Sequence, residues 1–159
     1  MNGIALCLWF DGNGEEAARF YTSLFPNSSI DHIQHAPGDY PSGKAGSVLV
    51  VEFTLMGQKY QALNGGPQFK FNEALSLSVS CDTQEEVDRL WQGLTADGGK
   101  EVACSWLKDK YGLSWQIVPR RLPELMSSND PAVAKRVFEA MMHMVKIDIA
   151  AIERAAHGI

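Results

Sequence analysis

The sequence predicts an α+β fold of two βαβββ modules in tandem, followed by C-terminal helices. Three observations predict it. Short β-rich apolar runs dominate residues 4–120, interrupted by two segments with apolar residues at helical spacing. A shift of 70 residues lays one of these segments on the other, Glu15-Glu16 on Glu85-Glu86, Arg19 on Arg89, Phe20-Tyr21 on Leu90-Trp91 and Leu24 on Leu94. A repeat of that period decides the architecture before any single element does. Residues 121–159 carry helix signals alone.

Residues 4–10 (IALCLWF) read as a strand ended by the turn-prone Asp11-Gly12-Asn13-Gly14. Glu15 and Glu16 open a helix, where negative charge complements the dipole, and Ala17, Phe20, Tyr21 and Leu24 form its apolar face until Pro26-Asn27 stops it. A strand over 29–35, a breaker-rich loop over 36–44, a strong strand over 47–56 and a hairpin partner over 58–64 complete the module, before Gly65-Gly66-Pro67.

In the second half, residues 74–81 (ALSLSVSC) alternate serine with apolar residues, the period of a strand with one polar face. Asp82 or Thr83 caps the next helix, whose face is Val87, Leu90, Trp91 and Leu94. Short extended segments over 101–104 and 105–108 and a strand over 113–118 follow. Asp130-Pro131 reads as an N-cap with Pro at the first helical position, and residues 147–156 carry another helix. The expected boundaries are 1–68, 69–120 and 121–159, within one structural domain.

The 159 residues carry 14 Lys+Arg against 19 Asp+Glu, a net charge of −5 that disfavours nucleic acid. No apolar run is long enough to span a membrane, and no signal-peptide pattern opens the chain, so a cytoplasmic protein is expected. Cys7, Cys81 and Cys104 are odd in number and form no CxxC, which reads as reduced, buried thiols.

Gly12-Asn13-Gly14-Glu15-Glu16-Ala17 matches the letters of a dinucleotide fingerprint, yet two glutamates would face the pyrophosphate and strands rather than a strand–helix alternation follow. His32, His35, His143 and His157 include no HxH or HExxH; His32 and His35, three apart in a strand, are expected on opposite faces. Polar features cluster at four places: the loop 35–44, Asn64-Gly65-Gly66 with its accessible backbone amides, Trp106 and Trp115 around Asp109, and the stripe Ser76, Ser78, Ser80. An interior serine stripe would line a cavity, an exterior one would face solvent.

Two βαβββ units resemble the vicinal oxygen chelate superfamily of glyoxalase I, extradiol dioxygenases and drug-sequestering resistance proteins. The chain is most similar to its PhnB-like branch through LWFDGNGEEAARFY (8–21), HAPGDYPSGK (35–44), ALNGGP (62–67) and WLKDKYGLSWQIVPR (106–120). Such sequences are often labelled 3-demethylubiquinone methyltransferases, although no methyl-donor motif is present here. The resemblance implies a curved mixed sheet around a cavity, and in metal-using members two ligands from each module's first and last strands. Those positions here fall at Ile4 or Leu6, at 61–64, at Ser76 and at Gln116, so the superfamily metal is expected to be lost and no cofactor is expected.

The expected function is metal-independent binding of a small organic molecule through Asn64, Ser76, Ser78, Trp106, Trp115 and Gln116. The alternative is a lyase, isomerase or dioxygenase-type enzyme on a small oxygenated or aromatic metabolite, with Glu52, His35, Asp39 or Tyr40 as acid/base groups. Met141, Met142, Met144, Ile147 and Ile149 add more apolar surface than a small domain easily covers, which makes a homodimer the expected assembly.

Overall fold

A computed structural model of the chain describes residues 3–159. The chain divides between Lys70 and Phe71 into two compact units. The first contains β1 (Leu6–Phe10), α1 (Gly14–Leu24), β2 (Ser29–His35), β3 (Val48–Leu55) and β4 (Gln58–Asn64). Its sheet has the order β1-β4-β3-β2, with β1 parallel to β4 and the remaining pairs antiparallel. The second unit opens with β5 (Ser76–Cys81), α2 (Gln84–Thr95), β6 (Lys100–Glu101), β7 (Trp106–Lys108) and β8 (Ser114–Pro119). Its order is β5-β8-β7-β6, with β5 parallel to β8. The two units thus share one topology, as the repeat predicts.

Pleating divides each sheet into a helix-facing side and a free side. In the first unit Leu8, Phe10, Val51, Phe53 and Ala62 are buried with Ala17, Ala18 and Tyr21 of α1, which crosses β2, β3 and β4. Phe53 stacks on Tyr60 at 5.3 Å between ring centroids. In the second unit Leu107, Trp115 and Ile117 are buried with Val87, Leu90, Trp91 and Leu94 of α2. Thr83 caps α2 by accepting from the Glu86 amide at 3.2 Å, settling the choice between Asp82 and Thr83.

The expected strands over 101–104 and 105–108 are shorter in the structure, because residues 102–105 form a tight connection. Cys104 (φ 57°) and Ser105 (φ 74°) both lie in the left-handed region, which costs side-chain-bearing residues energy. Their amides donate to the Met144 and Val145 carbonyls at 2.9 Å, which holds the turn. In the first unit an irregularity between Gln34 and His35 pairs His35 with Val48, while His32 pairs with Glu52. The residue left over there, Leu49, lies on β3, and β2 runs without insertion from His32 to His35.

Three helices close the second unit: α3 (Arg121–Met126), α4 (Pro131–Met142) and α5 (Ile149–His157). Asp130 caps α4 ahead of Pro131, and Asp148 caps α5. Leu122, Leu125, Val137, Ile147, Ile152 and Ala156 form a buried cluster, with Val118, Met126, Val133, Met141 and Met144 packed on it. Gln84 ties this cluster to α2, donating to the Ile147 carbonyl at 3.1 Å and accepting from the Ile149 amide at 2.8 Å. Much of the apolar surface behind the dimer expectation is therefore used inside the unit. Phe138, Met142 and Val145 remain exposed.

Helix α1 has no side-chain cap from Asn13. Asn64, at the end of β4, supplies one: its Oδ1 accepts from the Gly14 amide at 2.8 Å and its Nδ2 donates to the Val48 carbonyl at 2.9 Å. Replacing Asn64 with Ala strands a buried amide and a carbonyl, and should lower unfolding free energy by about 2–3 kcal/mol in urea titrations. A loss below about 0.5 kcal/mol would contradict this capping role.

Candidate functional site

The serine stripe and the final hairpin meet on the free side of the second sheet. Ser78 pairs with Gln116, and Gln116 with Trp106, so one cross-strand row runs Ser78–Gln116–Trp106. Ser76 lies on the same face, and its Oγ accepts from Gln116 Nε2 at 2.9 Å. Four of the six residues expected to bind a ligand therefore share a surface. Trp115 does not join them. Leu107, not Trp106, is its partner, so the two tryptophans occupy opposite faces of the hairpin.

Trp115 is buried, and its indole donates to Asp109 Oδ2 at 2.9 Å. Asp109 Oδ1 accepts the amides of Tyr111 (2.9 Å) and Leu113 (3.1 Å), which makes Asp109 the organiser of the β7–β8 turn. Asn64, in the first unit, is occupied by the bonds described above. The amides after it are not accessible either, since those of Gly65 and Gly66 both donate to the Phe10 carbonyl, at 3.0 and 3.2 Å.

A pocket of ≈ 500 Å³ opens beside the Gln116 row. Trp106, Gln116 and Val118 form its sheet wall, the strained Cys104-Ser105 turn one end, and Leu122, Pro123, Met126 and Ser127 with Met141 its helical wall. Trp106 and Gln116 are readable in the sequence as candidates. The helical wall is not, because nothing in a helix's periodicity says which sheet face it will cover.

The acid/base candidates are dispersed. Asp39 accepts from the Ala45 amide and from Lys44 Nζ, both at 3.0 Å, and the first of these bonds leads in holding its carboxyl below the usual range. His35 Nδ1 lies 2.9 Å from the Gly46 carbonyl, and Tyr40 pairs with Gly43 across the loop. Glu52 lies elsewhere, on the free face of the first sheet. It borders a second pocket, of ≈ 390 Å³, with Asp31, Lys59, Tyr60 and Gln61. Asp31 is held by Lys59 Nζ at 3.0 Å and Thr54 Oγ1 at 2.6 Å. The partner of His35 on β3 is Val48, four residues from Glu52, about 13 Å along a strand.

The positions that the sequence resemblance assigns to metal ligands hold apolar side chains at Ile4 and Leu6, and neutral ones at Gln61, Asn64, Ser76 and Gln116. Ser76 and Gln116 bond to each other, and Asn64 caps α1. Among the described residues no three His, Cys, Asp or Glu side chains are grouped to hold an ion. Hydroxyl and amide donors of this kind do not fit a divalent transition metal. No helix among these residues is long and apolar enough to cross a membrane.

The family model described as 3-demethylubiquinone-9 3-methyltransferase matches residues 2–118. The PhnB protein of Bacillus cereus is similar at 38% identity and a TM-score of 0.66, over 74% of this chain and 99% of its own. Protein PA1353 of Pseudomonas aeruginosa aligns at 19% identity and a TM-score of 0.59, over 75% of this chain and 98% of its own. The genomically encoded fosfomycin resistance protein FosX of Listeria monocytogenes aligns at 13% and 0.52, over 78% and 98%. These last two share the fold. No curated protein matches the sequence. The helices from Arg121 onward, including one wall of the pocket beside Gln116, lie beyond the family match.

The cysteines differ from the expectation of uniform burial: Cys7 is exposed, Cys104 is half-buried at the pocket, and only Cys81 is buried. Burial, reinforced by the charge of Glu86, pushes the Cys81 thiol up to about 11. At pH 8 roughly one Cys81 in a thousand is then thiolate, the reactive form. Ellman's reagent should modify at most two thiols in the native protein and the third only after denaturant is added. Rapid reaction of all three in the native protein would contradict this placement.

Proposed function

Because the chain belongs to the 3-demethylubiquinone-9 3-methyltransferase family, in its PhnB-like branch of the vicinal oxygen chelate superfamily, we propose that it binds a small organic molecule without the superfamily metal. The observation that carries this reading is the pocket beside Trp106 and Gln116, apolar over most of its wall with a few polar groups converging on it. Ser76 and Gln116 stand where metal-using relatives place ligands, and their mutual hydrogen bond turns that position into a fixed neutral acceptor. Methyl transfer is not part of the reading. The glycine turn before α1 leads into Glu15 and Glu16, and Asn64 already takes the Gly14 amide, which leaves a poor seat for an anionic or nucleotide-like group.

A second reading has one observation in its favour. Glu52 borders the ≈ 390 Å³ pocket of the first unit and its carboxylate has no hydrogen-bond or ion-pair partner among the described residues, which suits a general base. In that case Glu52→Gln would abolish turnover while leaving the thermal melt in place.

Elemental analysis and a thermal-shift screen of aromatic fragments test the first reading together. Purified protein should carry far less than one Zn, Ni, Mn or Fe per chain. A ligand present at ten times its Kd should raise the melting temperature by roughly 3–6 °C, and Trp106→Ala should cancel that rise. Stoichiometric metal, or stabilisation untouched by Trp106→Ala, would contradict it.

A further inference from the structure

The wall of the ≈ 500 Å³ pocket beside Gln116 contains no acidic or basic side chain. A carboxylate or phosphate entering it would give up hydration worth several kcal/mol and meet no counter-charge there. Gln116 adds direction. Its Nε2 is anchored by Ser76 Oγ at 2.9 Å, and its Oε1 has no hydrogen-bond partner among the described residues, so the amide offers the pocket an acceptor. Trp106 is the register partner of Gln116 on the adjacent strand. Cross-strand partners sit about 5 Å apart at Cβ, which lets one flat molecule lie on the indole while reaching the amide. Met126 and Met141 face the same space from the helices, and thioethers pack well on aromatic rings.

Building on the pocket reading above, we propose that the ligand is an uncharged, flat aromatic molecule whose O–H or N–H group donates to Gln116 Oε1, and that anions are refused. The acceptor and the indole lie within the residues that match the family, and the helical wall that closes the pocket over them lies beyond that match.

Isothermal titration calorimetry of the full chain at pH 7 with three matched probes tests the proposal: indole, 1-methylindole and indole-3-carboxylate. Indole should bind about 5–10-fold more tightly than 1-methylindole, the worth of one hydrogen bond, and indole-3-carboxylate more weakly than either. Gln116→Met should erase the difference between indole and 1-methylindole, with retained 1-methylindole binding showing that the pocket is intact. Trp106→Ala should weaken both. Equal or tighter binding of the carboxylate, or equal binding of the two neutral probes to the unaltered protein, overturns the ligand class and leaves the pocket reading standing; these ratios decide even if Gln116→Met fails to fold. No binding of any probe at millimolar concentration, or binding indifferent to Trp106→Ala, overturns the pocket reading itself.

Discussion

Parallel pairing of each unit's first strand with its last, β1 with β4 and β5 with β8, is the constraint on which the remaining structure rests. Two parallel neighbours cannot be joined by a tight turn, so the chain must cross over. Here the crossover holds one helix and two further strands. The register of that pair then sorts side chains by parity. In the second unit it seats Leu77, Val79 and Cys81 beside Trp115, Ile117 and Pro119, and the serines beside Ser114, Gln116 and Val118. A slip by one residue would turn Trp115 out to the free face and Gln116 in toward α2.

Once parity is set, the two faces acquire different chemistry. The helix-facing sides are closed by aromatic and aliphatic burial, and the polar groups there serve structure: Asp109 fixes a turn and Trp115, and Asn64 caps α1 from a strand end. The free side of the second sheet keeps an uncommitted acceptor at Gln116 and a half-buried indole at Trp106. The C-terminal helices convert that surface into a pocket. Their own cluster around Val137, Ile147 and Ile152 is buried, and Gln84 and the Cys104-Ser105 turn moor it to the module.

Most of the fold was legible because it rests on short-range signals. The serine alternation over 74–81, the glutamates that open both helices, the Asp130-Pro131 cap and the 70-residue repeat are all local. What was not legible depends on register or on long-range contact. Trp106 and Trp115 look like a pair in sequence, and only the alignment of β7 with β8 separates them. Asn64 reads as a candidate polar site residue, and its task became visible only when Gly14, fifty positions earlier, was placed against it. The apolar residues of the extension read as an unsatisfied surface because their partners, Leu122 and Val118 among them, lie on other elements.

In the proposed function the ligand lies on the free face of the second sheet, with Gln116 in the role of acceptor rather than metal ligand. Residue-resolved NMR during an indole titration addresses it most directly. The indole N–H signal of Trp106 and the side-chain amide signals of Gln116 should move together and saturate, while the buried indole N–H of Trp115 stays in place. Shifts centred instead on Glu52, Tyr60 and Gln61 of the first unit would contradict it.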